Sequence, residues 1–161
     1  ERSRLLDAYC GTGTIGICAA SMLKRHKQTI QVVGIDQTPD AIACARRNAR
    51  INALQTSCRF VRTDATAYIK AACRGNTSSH FDAVILDPPR AGSTPDFLES
   101  VSLLAPQRVI YVSCNVKTQL RDLDILRARG YRVTRILPVD MFPHTKHVEC
   151  IAALSHVRAE G

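Results

Sequence analysis

The most constraining feature of this sequence is an alternation of short apolar runs with longer amphipathic segments, which continues along its 161 residues. The short runs are typical of strands, because they stop at glycine, aspartate or proline. The longer segments repeat apolar residues every three or four positions, as helices do. Strands that alternate with helices form a mainly parallel, doubly wound α/β sheet, since right-handed crossovers place helices on both of its faces.

The pattern divides the chain into seven strands and five helices, and we expect them to form one domain over residues 1–161. Strands are predicted over residues 4–9, 30–35, 58–62, 81–86, 108–113, 131–139 and 148–154, and helices over 13–24, 41–52, 65–73, 95–104 and 118–129. Residues 75–80 are turn-like, and Ala41, Ala45, Ala49 and Ile51 are predicted to face the core. Because only residues 140–147 separate the last two strands, these form a hairpin and the final strand runs antiparallel.

Polar or reactive residues follow the apolar runs, where the carboxyl ends of parallel strands bind ligands. They are Cys10 and Gly11, Asp36, Asp64, Asp87 and Cys114. A thiol at the end of a strand, as at Cys114, is a candidate nucleophile. The alternative is a buried cysteine with no chemical role, which is the commoner use of this residue.

The first strand is followed by a glycine-rich turn that carries Gly11, Gly13 and Gly16, which fits a dinucleotide-type pattern. Asp36, at the end of the second strand, can accept hydrogen bonds from both hydroxyls of a ribose. Enzymes that use nicotinamide cofactors and enzymes that use S-adenosylmethionine share this pair of features, so the turn alone leaves both classes open. Asp64 suits either an adenine amino group or the cap of the next helix.

Composition limits the compartment and the partners. The seven cysteines are odd in number and contain no C-x-x-C pair, so we expect reduced thiols, no metal site and an intracellular protein. Zinc binding by His144, His147 and Cys150 is an alternative. No window is long and apolar enough to span a membrane. The net charge of +8 favours a polyanionic partner such as nucleic acid over an ordinary basic surface.

Four segments, by their residues, order and rough spacing, resemble the RNA 5-methyluridine methyltransferases. They are residues 9–14 (YCGTGT), 86–92 (LDPPRAG), 111–115 (YVSCN) and 140–149 (DMFPHTKHVE). The resemblance extends over residues 5–154 and implies a Rossmann-like methyltransferase sheet with S-adenosyl-L-methionine as cofactor. It also implies RNA as the substrate, either transfer or ribosomal, and a monomer without membrane attachment.

Carried over by position, the resemblance assigns the nucleophile to Cys114 and the general base to Glu149. The cofactor-binding positions that it implies, together with the glycine-rich turn, are Tyr9, Gly11, Thr14, Asp36, Asp64 and Asp87. Two residues depart from the family pattern: Asp36 stands where glutamate is common, and Val116 stands where proline is common. The family's phenylalanine-x-glutamine contact and RNA-binding domain precede the glycine-rich turn, so we expect this chain to be a fragment of a longer protein.

Two other functions remain open from the sequence. RNA cytosine-5 methyltransferases use the same thiol addition, although their cysteine stands in a different motif. A catalytically incomplete RNA-binding module is the second alternative, because the positive charge would remain without the upstream contact.

Overall fold

Seven strands form one sheet in the computed structural model of the chain, which describes residues 3–75, 80–145 and 147–157. The strands are β1 (Ser3–Ala8), β2 (Ile30–Asp36), β3 (Cys58–Arg62), β4 (Ala83–Leu86), β5 (Arg108–Ser113), β6 (Tyr131–Val139) and β7 (Glu149–His156). The helices are α1 (Thr14–Arg25), α2 (Pro39–Ile51), α3 (Ala65–Arg74), α4 (Pro95–Leu104) and α5 (Val116–Ala128). The predicted number and order of elements are therefore confirmed for the described part of the chain.

The strand order in the sheet is β3-β2-β1-β4-β5-β7-β6. All pairs among β1 to β5 are parallel, whereas β7 is antiparallel to both of its neighbours, β5 and β6. The predicted doubly wound α/β sheet with an antiparallel last strand is thus confirmed. The order reverses between β1 and β4, and a ligand crevice is expected at the carboxyl ends of strands around such a reversal.

Side chains alternate between the two faces of the sheet, so each face has its own core. On one face, Leu86 and its neighbours pack against α3, α4 and α5 through residues such as Phe97 and Leu126. On the other face, Ile85 belongs to the cluster that contains residues of α1 and α2, including Ala45. Burial on both faces explains why β1, β2 and β4 read as nearly continuous apolar runs.

Some element boundaries and one burial prediction differ from the structure. Helix α5 begins at Val116, before the predicted start at residue 118, because the Asn115 side chain caps it. Ala45 and Ala49 are buried as predicted, whereas Ile51, also predicted to face the core, is 70% exposed, and Ile42 is the buried isoleucine of that helix. Residues 76–79 of the predicted turn lie outside the described residues.

Candidate active site

The glycine-rich turn after β1 is held to the end of β2 by a carboxylate. Asp36 Oδ2 accepts the Gly11 N–H at 3.0 Å, and Asp36 Oδ1 accepts the Thr38 N–H at 2.8 Å. Gly11 has a φ of +52°, which favours glycine, and a Cβ built on it would meet no atom within 4 Å. The turn therefore faces open space, and each Asp36 oxygen keeps a second lone pair for a ligand hydroxyl.

A fully buried carboxyl group lies beneath the same turn. Asp7 Oδ2 accepts the Gly16 N–H at 2.9 Å, while Asp7 Oδ1 has no partner among the described residues. Burial raises the pKa of Asp7 to about 7; the Gly16 bond opposes this shift and the charge of Asp87 adds to it. Burial favours the neutral form of an acid because the charged form loses its hydration.

Tyr9 connects the turn to the first of two cavities at the carboxyl edge of the sheet. Its φ of +61° is uncommon for an aromatic residue, and its ring packs on Phe97 with centroids 5.3 Å apart. The cavity, of about 390 Å³, is lined by Tyr9, Ile35, Asp36, Gln37, Thr38, Thr63, Ala65, Asp87 and Pro89. Three of the residues assigned to the cofactor by the resemblance therefore border one space.

The other three assigned cofactor residues do not line this cavity. The Gly11 N–H donates a hydrogen bond to Asp36. The hydroxyl of Thr14 lies 3.2 Å from that of Thr12 on an exposed part of the turn. Asp64 caps α3, because its Oδ1 accepts the Ala67 N–H at 2.8 Å. Its Oδ2 accepts from the Gln37 amide at 2.6 Å, so the capping role proposed as an alternative is present in the structure.

A second cavity, of about 370 Å³, adjoins the first and contains the residues with reactive side chains. It is lined by Asp87, Val112, Cys114, Val139, Met141, Phe142, Glu149 and Ile151. Asp87 borders both cavities. The Cys114 thiol is partly exposed there, and Glu149 is half-buried. The two residues assigned to catalysis therefore share one space with apolar walls.

Strand register explains why Cys114 and Glu149 meet although they are 35 positions apart in the sequence. Ser113 of β5 pairs with Cys150 of β7, and the next residue outward on each strand is Cys114 and Glu149, respectively. On β4, Leu86 pairs with Tyr111, which brings Asp87 to the level of the residue that follows Tyr111. Three neighbouring strands thus end together around the cavity.

The carboxyl group of Asp87 is affected by burial and by the charge of Glu149. Partial burial raises the pKa of Asp87 above its usual value, and the negative charge of Glu149 raises it further. A like charge disfavours the ionised form of a neighbouring acid. Two carboxyl groups at one cavity, one of them with a raised pKa, are suited to the transfer and positioning of protons.

Three polar residues that the sequence analysis missed hold the site together. Asn115 caps α5 by accepting the Lys117 N–H at 3.2 Å, and Gln119 donates to the backbone oxygens of Tyr111 and Cys150, both at 3.0 Å. Asp122 is fully buried on the same helix. A signal for two of them was available in the sequence: Gln119 and Asp122 lie on the same face of α5 as the apolar Leu123 and Leu126.

Other predicted features can be located as well. All seven cysteines are free thiols. Over residues 3–75, 80–145 and 147–157, no group of His, Cys, Asp or Glu side chains could hold a metal ion, and the zinc ligands considered above are not grouped. Within the same ranges, no helix has both the length and the apolar character needed to cross a bilayer.

Comparison with known proteins gives consistent matches. The family model for tRNA (uracil-5-)-methyltransferase matches residues 1–157. A Bacillus cereus protein described as an uncharacterized RNA methyltransferase is 39% identical over 95% of this chain, and one from Oceanobacillus iheyensis is 40% identical over 94%. In both cases the match covers 31% of the relative, so this chain spans about a third of the length of these relatives.

Solved structures show the same likeness. The Pyrococcus abyssi tRNA (uracil-54, C5)-methyltransferase in complex with S-adenosyl-L-homocysteine matches with a TM-score of 0.77 and 38% identity, over 96% of this chain and 34% of that one. The [4+2]-cyclase SpnF matches with a TM-score of 0.70 but only 15% identity, over 97% of this chain and 76% of that one. The second likeness shows the fold alone, because one fold serves many reactions.

Proposed function

Since this chain belongs to the tRNA (uracil-5-)-methyltransferase family, we propose that it methylates carbon 5 of a uridine in RNA with S-adenosyl-L-methionine as the methyl donor. The observation that carries the proposal is the convergence of Cys114, Glu149 and Asp87 on one cavity. That cavity adjoins the one lined by Tyr9 and Asp36, so a methyl donor and a target base would meet at Asp87.

The residues around the first cavity fit S-adenosylmethionine. Asp36 is oriented by two backbone N–H groups and keeps free lone pairs, which suits the two hydroxyls of a ribose. The open space over Gly11 lets a ligand approach the backbone closely. Tyr9 contributes an aromatic edge between the turn and this first cavity. When bound, the cofactor supplies an electrophilic methyl group. Carbon 5 of uracil is too weakly nucleophilic to attack this group unless the base is first activated.

Cys114 supplies the nucleophile that activates the base. Its thiolate adds to carbon 6 of uracil, and the electron pair of the 5,6 double bond moves toward the carbonyl at carbon 4, which makes carbon 5 nucleophilic. Cysteine is intrinsically very nucleophilic, which suits it to this addition. The thiol is partly exposed, so a base that enters the cavity can reach it.

Glu149 completes the reaction as general base. After methylation, carbon 5 carries both the methyl group and its original proton, and the Glu149 carboxylate removes that proton. The electron pair of the carbon–hydrogen bond then restores the 5,6 double bond, and the carbon–sulfur bond breaks to release the Cys114 thiolate. Such a positioned base typically contributes about 10²–10⁴ in rate. The position of Glu149 opposite Cys114 supports this division of roles.

Asp87 is proposed to orient the uracil ring between the two cavities. Partial burial, with the charge of Glu149 in addition, raises its pKa, so its carboxyl group is more readily protonated than an exposed aspartate. A protonated carboxyl can donate a hydrogen bond to a uracil carbonyl oxygen as well as accept one from a ring N–H.

Mass spectrometry of nucleosides tests the proposed reaction. The natural protein that contains this chain is incubated with S-adenosylmethionine and, separately, with transfer and ribosomal RNA from cells that lack its gene. We expect new 5-methyluridine in one of the two RNA pools. New 5-methylcytidine would assign the protein to cytosine methylation instead, and RNA binding without any methylation would favour the RNA-binding module.

A further inference from the structure

An ion pair on α5 between the half-exposed Arg121 and the buried Asp122 has no part in the chemistry described above. Asp122 is fully buried, and its Oδ1 accepts from the Arg121 guanidinium at 2.7–2.8 Å. Its Oδ2 accepts the Ser93 N–H at 2.7 Å and the Tyr111 O–H at 2.5 Å. Every oxygen of the carboxylate is therefore satisfied, which is the condition under which a buried charge is tolerated.

The direction of the Tyr111 bond is clear from its surroundings. Burial raises the pKa of Tyr111, and the bond to the Asp122 carboxylate raises it further. The phenol therefore keeps its proton, and its O–H donates a hydrogen bond to Asp122. Tyr111 lies in β5, three residues before Cys114, so the carboxylate is bonded directly to the strand that carries the proposed nucleophile.

The other partners belong to the loop that begins at Asp87. Arg121 Nη2 donates to the backbone oxygens of Ala91 and Ser93, both at 3.1 Å. At the start of α5, Asn115 Nδ2 and Thr118 Oγ1 donate to the backbone oxygen of Arg90, at 3.0 and 3.2 Å. Loop residues 90–93 are thus bonded to the same helix at several points, and Asp122 is the buried centre of this arrangement.

Gly92 shows how closely the loop approaches the ion pair. Its φ is +79°, and a Cβ built on it would lie 2.7 Å from Arg121 Nη2 and 2.7 Å from Asp122 Oδ2. These distances leave no room for a side chain, so the loop backbone rests directly on the charged groups. Residues 91–93 therefore pack directly against the Arg121–Asp122 pair.

We propose that Asp122 is a positioning residue, which with Arg121 fixes the loop containing Asp87 against β5 so that Asp87 and Cys114 face the same cavity. This inference rests on the proposed methylation reaction. Asp122 itself touches no reacting atom. Misplacement of a reacting group by about 1 Å can cost on the order of 10²-fold in rate, so a small shift of the loop is sufficient for an effect.

The test compares variants of the natural protein that contains this chain. Asp122→Asn keeps the size of the side chain but removes its charge, and Tyr111→Phe deletes one bond to the carboxylate. Asp124→Asn is the matched control, because Asp124 lies on the same helix in an exposed ion pair with Arg127. Methylation kinetics and hydrogen exchange of the amides in residues 87–93 are measured well below the melting temperature.

For Asp122→Asn we expect faster exchange of the Ser93 amide and a fall in kcat of about 10–100-fold, with KM for RNA changed less than about threefold. Tyr111→Phe should show smaller changes in the same direction, and it remains informative if Asp122→Asn does not fold. Asp124→Asn should match wild type. A structural role alone would speed exchange and leave kcat unchanged, which would overturn the proposal.

Failure of the loop contact and failure of the proposed reaction give different experimental results. Unchanged exchange at Ser93 in Asp122→Asn would show that the carboxylate does not hold the loop, whatever the reaction. If the wild-type protein methylates no RNA, the proposed function is wrong and the positioning role falls with it. Loss of kcat in Asp122→Asn together with an equal loss in Asp124→Asn would also contradict the proposal.

Discussion

Cys114 and Glu149 lie opposite each other, one residue beyond Ser113 and Cys150, the last pair that joins β5 to β7. Both side chains line the same cavity, with Cys114 in the bend that follows β5. A base inserted between these two side chains would have its carbon 6 near the thiol and its carbon 5 near the carboxylate. The sheet register thus brings the two proposed catalytic groups to one cavity.

Removal of the thiol and removal of the carboxylate should have different effects on RNA containing uridine. Cys114→Ala should abolish both methylation and the covalent complex, because carbon 5 is not activated without addition at carbon 6. Glu149→Gln should accumulate a methylated adduct that survives denaturing electrophoresis, because addition remains possible and proton removal does not. Labelled methyl groups on the protein band measure the adduct.

Matched controls for this pair are available on the surface. Cys44→Ala changes an exposed thiol, and Glu99→Gln changes an exposed carboxylate paired with Arg129. Both should behave as wild type. An adduct formed by Cys114→Ala would show that another residue is the nucleophile.

Cofactor binding should depend on Asp36. Asp36→Ala loses a carboxylate that orients the turn through Gly11 and is proposed to accept the ribose hydroxyls. A hydrogen bond to a charged group contributes about 1.5–3 kcal/mol, so affinity for S-adenosylhomocysteine should fall by roughly 10- to 100-fold in calorimetry. Asp40→Ala, an exposed change in the first turn of α2, serves as the control. Equal affinities of the two variants would remove Asp36 from the cofactor site.

The family's preference for proline at position 116 can be tested on stability. Val116 is the first residue of α5, and Asn115 is already extended, with φ −138° and ψ 97°. Proline suits that helix position and needs an extended residue before it, so Val116→Pro should change the free energy of unfolding by less than about 0.5 kcal/mol. Lys117→Pro should cost about 1–3 kcal/mol, since it removes the N–H that Asn115 accepts. Denaturant unfolding gives both values, and equal costs would contradict this account of the helix start.

Asp7 predicts a dependence of stability on pH. Burial raises its folded pKa to about 7 from an ordinary value of 3.8, so the folded protein binds the proton more tightly than the unfolded chain. Stability contributed by protonation is therefore fully present below about pH 3.8 and is lost as the pH rises through about 7. Asp7→Asn lacks this titration.

The measurement for Asp7 is denaturant unfolding of both proteins at pH 5 and pH 8. Between these values, wild type should lose about 2–3 kcal/mol relative to Asp7→Asn, from 1.36 kcal/mol per unit of pKa difference. A constant difference between the two proteins would show that Asp7 titrates normally in the folded state.

The sequence was sufficient to predict the sheet because its alternation of elements allows few topologies. The same reasoning brought Asp87 and Cys114 to one edge, because ends of parallel strands meet there. Ile51 was misjudged because it follows Ile42 by nine positions, which at about 100° per residue places it on the face of α2 opposite the buried Ile42, Ala45 and Ala49.

The hydrogen bonds that fix the site could not be predicted in the same way. Asp64 was assigned two possible roles, and only the folded structure shows its carboxylate capping α3. Asp122 reads as an ordinary polar helix residue until the loop that carries Ser93 is folded onto it. Bonds between segments that are about 30 residues apart in the chain, such as those from α5 to Ser93, depend on tertiary packing, which leaves a weak trace in composition or spacing.

The antiparallel insertion of β7 between β5 and β6 has a consequence for biogenesis. A ribosome makes β5 and β6 before β7, and domains begin to fold from the amino-terminal side during synthesis. Until β7 arrives, β5 has an unpaired edge, which is prone to association with other chains. The nascent chain therefore carries Cys114 before it carries Glu149, and the proposed nucleophile and the proposed general base come together only when β7 closes the sheet.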